Sequence, residues 1–310
     1  MNGIIVIDKP AGKTSHDVVQ EVKKTLGAKK VGHTGTLDPL ATGVLPVCIN
    51  EGTKLAQFFN LDRKEYRATV LLGVTTDTYD VEGKIIAEVS PCVDKADIAR
   101  ALLSLIGTKQ QVPPPYSAVK YRGQPLYKWA RKGMNIVTLP RTIEIYHISL
   151  EEIILPYVTF SVACSKGTYI RSLCLEIGEM LGCGACLAGL RRIKSGHYSE
   201  KEALTLTGVA EQERKEALAK HLIPLADALP DLPVICVDKR LAEKIRQGYQ
   251  PVFDSLFPDH IPFLAAGDVL RLKQEHELVA IARMLYQPHN LPELAGQERA
   301  VEILRVFNSE

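Results

Sequence analysis

Apolar positions along the chain recur with two periods, and most of its elements follow from them. Residues 1–8, with Ile4, Ile5, Val6 and Ile7 in a row, read as a strand. After Ser15, Val18, Val19, Val22 and Leu26 share one helical face until Gly27 ends the pattern, which predicts a capped helix. Residues 44–49 form an apolar strand, and Thr53 is expected to cap a short helix through Phe59. Residues 66–73 and 84–89 are rich in β-formers, with a polar loop or hairpin over 75–83 between them. Asp94 opens a helix carrying Ile98, Leu102, Leu103 and Ile106, which Gly107 closes. Pro113, Pro114 and Pro115 then break regular structure, and a short helix is predicted over 125–131 before Gly133. Long strands at 143–154 and 158–164 suggest a hairpin turning near Pro156. A helix follows from Tyr169 or Ile170 to Leu181, then a strand over 187–195 and helical segments over about 206–220.

At Leu229-Pro230-Asp231-Leu232-Pro233 the composition shifts across a proline-bracketed linker. Beyond it, short strand-like runs occupy 234–237, 267–272, 278–284 and 301–307. A tail of about 80 residues built this way is too short for a parallel α/β domain and suits a small barrel. The expected class is α+β: a mixed, mainly antiparallel sheet with flanking helices over 1–228, then a small all-β domain over 229–310.

Composition narrows the class without naming a function. With 310 residues, 46% hydrophobic and 24% charged, the chain can bury a full core. No apolar run approaches the roughly 20 residues of a membrane helix. The first residues lack the basic start and long apolar centre of a signal peptide, so a cytoplasmic protein without a membrane partner is expected. Seven cysteines, at 48, 92, 164, 174, 183, 186 and 236, are odd in number and scattered, which speaks against a disulfide framework. Cys183 and Cys186 have C-x-x-C spacing, but zinc would need a second pair or suitably spaced histidines, and none follows. They read as loop cysteines, with no metal.

Net charge is +2, and its distribution says more than its size. Between Pro113 and Tyr146 six basic residues (Lys120, Arg122, Lys128, Arg131, Lys132 and Arg141) face one acid, Glu144. Tyr116, Tyr121, Tyr127 and Trp129 lie among them. The mixture suits phosphate contact and base stacking, and it suits equally a solvated surface over a few core aromatics.

Candidate chemistry concentrates in the stretch Gly32-His33-Thr34-Gly35-Thr36-Leu37-Asp38-Pro39-Leu40-Ala41-Thr42-Gly43. Three glycines, turn-forming threonines and a carboxylate fixed before a proline exceed the needs of a plain connection. Nucleophile elbows, Walker loops, zinc-protease motifs and strand-following G-x-G-x-x-G are all absent. What remains besides Asp38 is the segment from Cys164 to Ser172, where Gly167 would end a strand and Tyr169 and Arg171 would open a helix. An arginine on rigid structure can hold a carboxylate through two parallel hydrogen bonds, keeping it ionised and aimed. Asp38 with Arg171 would then be a nucleophile and its orienting partner. The same residues also make sense as a structural ion pair or an Asp-Pro turn. Taken alone, Tyr66 is a strand aromatic and His33 a loop histidine.

Seven blocks carry a resemblance: Asp8-Lys9-Pro10, the stretch from Gly32 to Gly43, Lys64-Glu65-Tyr66, Thr76-Asp77-Thr78-Tyr79-Asp80, Tyr116-Ser117-Ala118-Val119-Lys120, Cys164 to Ser172, and Leu190-Arg191-Arg192. In this order and spacing the chain resembles the TruB family of bacterial tRNA pseudouridine synthases along almost its entire length. The resemblance implies a pseudouridine synthase fold, an RNA-gripping insertion at about 113–146 and a small PUA-like RNA-binding barrel at 229–310. The insertion's prolines, Gly123, Gly133 and few apolar anchors predict mobility without RNA.

The implied reaction isomerises uridine 55 in the T-loop of tRNA: the N1–C1′ bond breaks, the uracil turns, and C5 joins C1′. It calls for neither redox cofactor nor metal. Asp38 carries over as nucleophile; addition to the base, addition to the sugar and stabilisation of an elimination intermediate stay open. The target base must be flipped from its stack. Tyr66 would stack on the uracil and help with proton transfer, and Arg171 would partner Asp38. Tyr169 would line the pocket, Leu190 pack against the base, and His33 push into the RNA loop where the flipped bases were. Lys9 would support the pocket, and Asp80 would hydrogen-bond RNA or order its own loop. The implied partner is the T-arm of tRNA, met by a monomer without an obligatory protein partner. An RNA-guided, dyskerin-type enzyme and a tRNA-folding chaperone with secondary catalysis are the alternatives; the insertion speaks for a stand-alone enzyme.

Overall fold

Each segment's burial follows from which of its faces is covered. The computed structural model describes residues 1–310 apart from 60–62, 135, 137, 257–263, 287–297 and 309–310. β1 (Gly3–Lys9) is apolar on both faces, and its outer edge is covered: Ile4 exchanges backbone hydrogen bonds with Ile223, and Asp8 donates to Leu204. α1 (Ser15–Leu26) is capped by Thr14, one residue before the expected cap, in a reciprocal capping box with Asp17. Gly27 ends it in the left-handed region at φ 62°. Val18, Val19 and Val22 enter the core, and Ser15, relieved of capping, is buried where it can serve the next loop.

β2 (Val31–His33) and β3 (Thr42–Ile49) trim the expected polar loop to residues 34–41. A 3-10 turn, Asn50–Leu55, replaces the predicted short helix; Thr53 lies inside it and donates to the Asn50 carbonyl rather than capping. β4 (Lys64–Leu72) alternates inward and outward. β5 (Val74–Thr76) and β6 (Ile85–Glu88) form a small separate hairpin, and α2 (Lys95–Ser104) starts at its Asp94 cap. β7 (Gly107–Gln111) is a polar edge strand without an apolar pattern to announce it. The 113–146 segment holds β8 (Lys120–Tyr121), β9 (Gln124–Pro125) and α3 (Leu126–Ala130); its residues 135 and 137 lie outside the described ones. β10 (Arg141–Ile154) and β11 (Tyr157–Cys164) make the long hairpin, turning at a cis Leu155–Pro156 bond.

α4 (Ile170–Met180), β12 (Ala185–Ser195), β13 (Tyr198–Ser199) and α5 (Glu211–Lys220) complete this part, α5 opening at Glu211 rather than Leu206. Cys183 lies in the loop between α4 and β12 as expected, whereas Cys186 lies within β12; both are buried. Strands pair in the order β1-β3-β12-β4-β11-β10-β7, with β2 on β3 and β13 on β12. All these pairings are antiparallel except β12 with β3, which run parallel over Arg191–Thr42 and Arg192–Gly43. The expected mixed, mainly antiparallel sheet is what forms.

The tail contains β14 (Val234–Cys236), α6 (Lys239–Arg246), α7 (Phe253–Leu256), β15 (Val269–Gln274), β16 (Glu277–Met284) and β17 (Val301–Val306). Among the described residues its strands make a four-stranded sheet, with no pairing that closes it into a barrel. It has its own core, around Leu241, Ile245, Leu270 and Val279. A further core is shared: Leu278, Ile281 and Phe307 pack with Ile4, Val6 and Val44 of the first sheet. The proline-bracketed linker is pinned, because the buried Arg271 guanidinium donates to the carbonyls of Ala226, Pro230 and Leu232. Among the described residues no helix is long and apolar enough to cross a membrane.

Candidate active site

Residues 34–41 are held from three sides. Ser15 Oγ donates to the Leu37 carbonyl at 3.0 Å and accepts from the Leu37 N–H at 2.8 Å. Lys9, fully buried at the end of β1, donates through Nζ to the carbonyls of Pro10 (2.8 Å), Lys13 (2.6 Å) and Pro39 (3.3 Å). Burial pulls Lys9 down to about 8, which still leaves an ammonium at neutral pH to satisfy those acceptors. On the third side Arg192 donates from Nε to the Val44 carbonyl (2.7 Å) and from Nη2 to the Gly35 carbonyl (3.2 Å). The Asp38 carbonyl accepts from Ala41 N–H at 3.1 Å, closing the turn and leaving the carboxylate free to face inward.

The carboxylate faces a cavity of about 580 Å³, bounded by the loop, β4, β12 and the start of α4. Asp38 is the one carboxylate among its lining residues, which also include Tyr66, Tyr169, Arg171 and Leu190. Arg171 sits in the first turn of α4, almost fully buried, with Nε 2.9 Å from Asp38 Oδ2. Its N–H is poorly aligned with that contact, so this is an ion pair rather than a good hydrogen bond. The rest of the guanidinium is spent elsewhere: Nη1 donates to the Thr78 carbonyl (3.0 Å) and lies 3.4 Å from Asp80 Oδ2, and Nη2 donates to the Tyr116 carbonyl (2.8 Å). The parallel two-bond fork expected between Arg171 and Asp38 therefore does not form. Instead Arg171 joins Asp38, the Thr76–Asp80 turn and the root of the 113–146 segment.

Electrostatics at Asp38 are balanced between opposing influences. Its side chain is 38% exposed, but what it faces is a recess sunk in the protein. Burial raises its pKa above the ordinary carboxylate value, Arg171 opposes this, and the neighbouring Asp80 adds to it. Tyr66 is nearly buried on β4; burial raises its phenol, and the positive charge of the adjacent Arg192 offsets part of that. Tyr169 caps the start of α4, where Gln111 clamps its backbone. Gln111 Oε1 accepts from Tyr169 N–H at 2.8 Å, and its Nε2 donates to the Tyr169 carbonyl at 3.1 Å.

Five of the expected site residues, Asp38, Tyr66, Tyr169, Arg171 and Leu190, thus share one cavity wall. Lys9 and Asp80 lie behind it. Asp80 is buried, and its Oδ1 accepts from Thr78 Oγ1 (2.6 Å) and Glu82 N–H (3.1 Å), so it orders its loop and backs Arg171. His33 opens onto a neighbouring cleft, lined also by Lys30, Lys54, Gln57 and Arg305, whose shared wall with the cavity is residues 34–36. Its Nδ1 accepts from Gly35 N–H at 3.3 Å, which leaves the proton on Nε2. Burial lowers its pKa, so the ring is neutral at neutral pH.

Several contributors were not singled out from the sequence. Ser15, Gln111 and Arg192 act through backbone groups that tertiary structure alone brings to them. Lys64, buried on the cavity wall with Nζ 2.9 Å from Ser195 Oγ, had a signal in its place two residues before Tyr66. Exposed Arg141 and Lys166 add positive charge at the mouth. One carboxylate ringed by cations suits a polyanionic substrate whose reacting part enters the recess.

Comparison with known proteins agrees with this layout. A chain of the crystallised Cbf5-Nop10-Gar1 complex matches with a TM-score of 0.72 and 30% identity, covering 98% of this chain and 84% of that one. A chain of an H/ACA RNP bound to a substrate RNA containing 2'-deoxyuridine matches with a TM-score of 0.73 and 28% identity, covering 99% and 85%. Fold and site together define the pseudouridine synthase class. Residues 23–170 match the N-terminal domain model of the TruB family pseudouridylate synthases, and residues 171–230 match the tRNA pseudouridylate synthase B C-terminal domain. The tRNA pseudouridine synthase B of Syntrophus aciditrophicus is 53% identical over 99% of both chains, and that of Syntrophotalea carbinolica 42% identical over 99% of this chain and 98% of the relative. The chain belongs to the TruB family of pseudouridylate synthases. Arg171 opens the second matched region, so residues from both matches build the one cavity.

Proposed function

We propose that this protein converts uridine to pseudouridine at position 55 in the T-loop of tRNA, with Asp38 as the nucleophile. The observation that carries the reading is Asp38 itself: the lone carboxylate of a cation-ringed cavity, ion-paired to Arg171 and facing Tyr66 and Leu190. The relatives' shared name, tRNA pseudouridine synthase B, supports the substrate class. In the reaction the N1–C1′ bond breaks, C5 bonds to C1′, C5 gives up its proton and N1 ends protonated. Atoms and electrons balance without an oxidant, so the chemistry needs ionised Asp38 and a route for one proton. Tyr66 stacks on the flipped uracil and assists that transfer, Leu190 packs on the base, and Tyr169 closes the wall. His33, one loop wall away, enters the RNA loop as the base leaves it.

Grip on the RNA comes from the 113–146 insertion, where Arg122 lies on Tyr121, Arg131 on Tyr127 and Lys132 on Trp129 as cation–π pairs. In this reading 1–228 form the catalytic domain and 229–310 a PUA-like RNA-binding domain, and the enzyme works as a cytoplasmic monomer. The test is to treat an unmodified tRNA transcript with the purified protein alone. Pseudouridine at position 55 is expected. Modification only with an added guide RNA would favour the RNA-guided alternative, and modification elsewhere would overturn the assigned position.

A further inference from the structure

Gln111 is a buried amide at the end of a polar edge strand, and both ends of that amide are spent on one residue. Its Oε1 accepts from the Tyr169 N–H at 2.8 Å, and its Nε2 donates to the Tyr169 carbonyl at 3.1 Å. A flipped amide would set donor against donor and acceptor against acceptor, so the pairing fixes its orientation. Tyr169 starts α4 with extended backbone and no side-chain hydrogen bond capping the helix. Gln111 therefore supplies, from another strand, the anchor this helix lacks at its own N-terminus. Two residues further on, Arg171 reaches Asp38.

The chain that follows Gln111 repeats the tie. Pro113, Pro114 and Pro115 offer no N–H, and the segment is held through carbonyls instead. The Val112 carbonyl accepts from Ser172 Oγ at 3.1 Å, and the Tyr116 carbonyl from Arg171 Nη2 at 2.8 Å. These four hydrogen bonds stitch residues 111–116, the root of the insertion, to residues 169–172, the start of α4.

We propose that Gln111 is a positioning residue for the reaction: by clamping the Tyr169 backbone it fixes the first turn of α4, and so holds the Arg171 guanidinium against Asp38. The inference rests on the reading of Asp38 as nucleophile and goes beyond it, because it puts the aim of the ion pair under the control of the strand that leads into the insertion. A misplacement of about 1 Å at a reacting group is enough to cost on the order of 100-fold in rate.

The experiment compares Gln111→Met, which keeps the length and loses both hydrogen bonds, with Gln111→Asn, whose amide is a methylene too short to meet both Tyr169 groups. Each is assayed on an unmodified tRNA transcript, alone and combined with Arg171→Gln. In either single variant kcat should fall on the order of 10- to 100-fold, with tRNA affinity within about 3-fold of wild type. The readout that packing alone would not move is the acid limb of the kcat/KM profile. With Arg171 loosened, its charge holds the Asp38 carboxyl down less, and the limb should move to higher pH, by no more than in Arg171→Gln. In the Arg171→Gln background, Gln111→Met should leave the limb in place and slow turnover by no more than about 3-fold further. Should Gln111→Met fail to fold, Gln111→Asn keeps a buried amide and carries the same expectations. A limb that stays in place while the rate falls in proportion to folded protein would make Gln111 a packing residue and overturn the proposal, as would losses that multiply with those of Arg171→Gln. Asp38→Asn run alongside separates the two levels. Full activity there overturns the proposal together with the reading beneath it, whereas inactive Asp38→Asn beside unchanged Gln111 variants overturns the proposal alone.

Discussion

At Asp38 burial and charge pull in opposite directions, and burial prevails. A carboxylate nucleophile must be ionised, so activity is present above its folded pKa and lost as pH falls through it. The acid limb of the kcat/KM profile is expected above the ordinary Asp value of 3.8. Arg171→Gln removes the largest influence holding that pKa down, so the limb should shift to still higher pH; an unmoved limb would mean Asp38 does not set it. Arg171→Lys keeps the charge but cannot serve Asp38, Thr78 and Tyr116 together, and a rate loss of about 100-fold or more with tRNA affinity nearly intact is expected. The pairing of Asp38 with Arg171 was legible from residue types and a single carboxylate in a glycine-rich turn. The lost two-bond fork was not, because the competing acceptors, the Thr78 and Tyr116 carbonyls, come from 93 and 55 residues away in the chain.

Among the elements, the parallel seam between β3 and β12 is short and depends on Gly43. Gly43→Ala places a methyl group against the Arg192 backbone at a positive φ, and should cost about 2–4 kcal/mol in urea denaturation. Gly12→Ala is the control: its φ of 80° is also left-handed, but nothing lies within 4 Å of the added carbon. It should cost only about 1–2 kcal/mol. Equal costs would show that the contact at Arg192 relaxes freely. Amphipathic α1, α2 and α4 and the apolar β3 were legible because one period dominates each. β7 was not: Gly-Thr-Lys-Gln-Gln has no apolar face, and its burial of Gln111 serves the Tyr169 backbone rather than a core.

Across the whole molecule the two sheets are joined by the shared core and by Arg271. Arg271→Met leaves the Ala226, Pro230 and Leu232 carbonyls without that donor and should lower unfolding free energy by about 2–4 kcal/mol. The turnover rate per folded molecule should stay the same, read by activity below the melting transition; a large rate loss at full folding would place the tail inside the catalytic machinery. The α+β class and the order of elements were legible from periodicity, but the union of the halves was not. β16 is buried almost throughout, and no local pattern singles out Leu278 and Ile281, or Phe307 just past β17, as the positions that face Ile4, Val6 and Val44. In the proposed reading these halves hold one carboxylate, Asp38, at the cavity, and removing its charge is the decisive step. Pseudouridine, revealed by a base-specific chemical label, should be mapped in tRNA treated with wild-type protein and with Asp38→Asn. Wild type should convert position 55, while the variant should bind tRNA within about 3-fold of wild type and convert none. Conversion by Asp38→Asn at the wild-type rate would remove Asp38 from the chemistry.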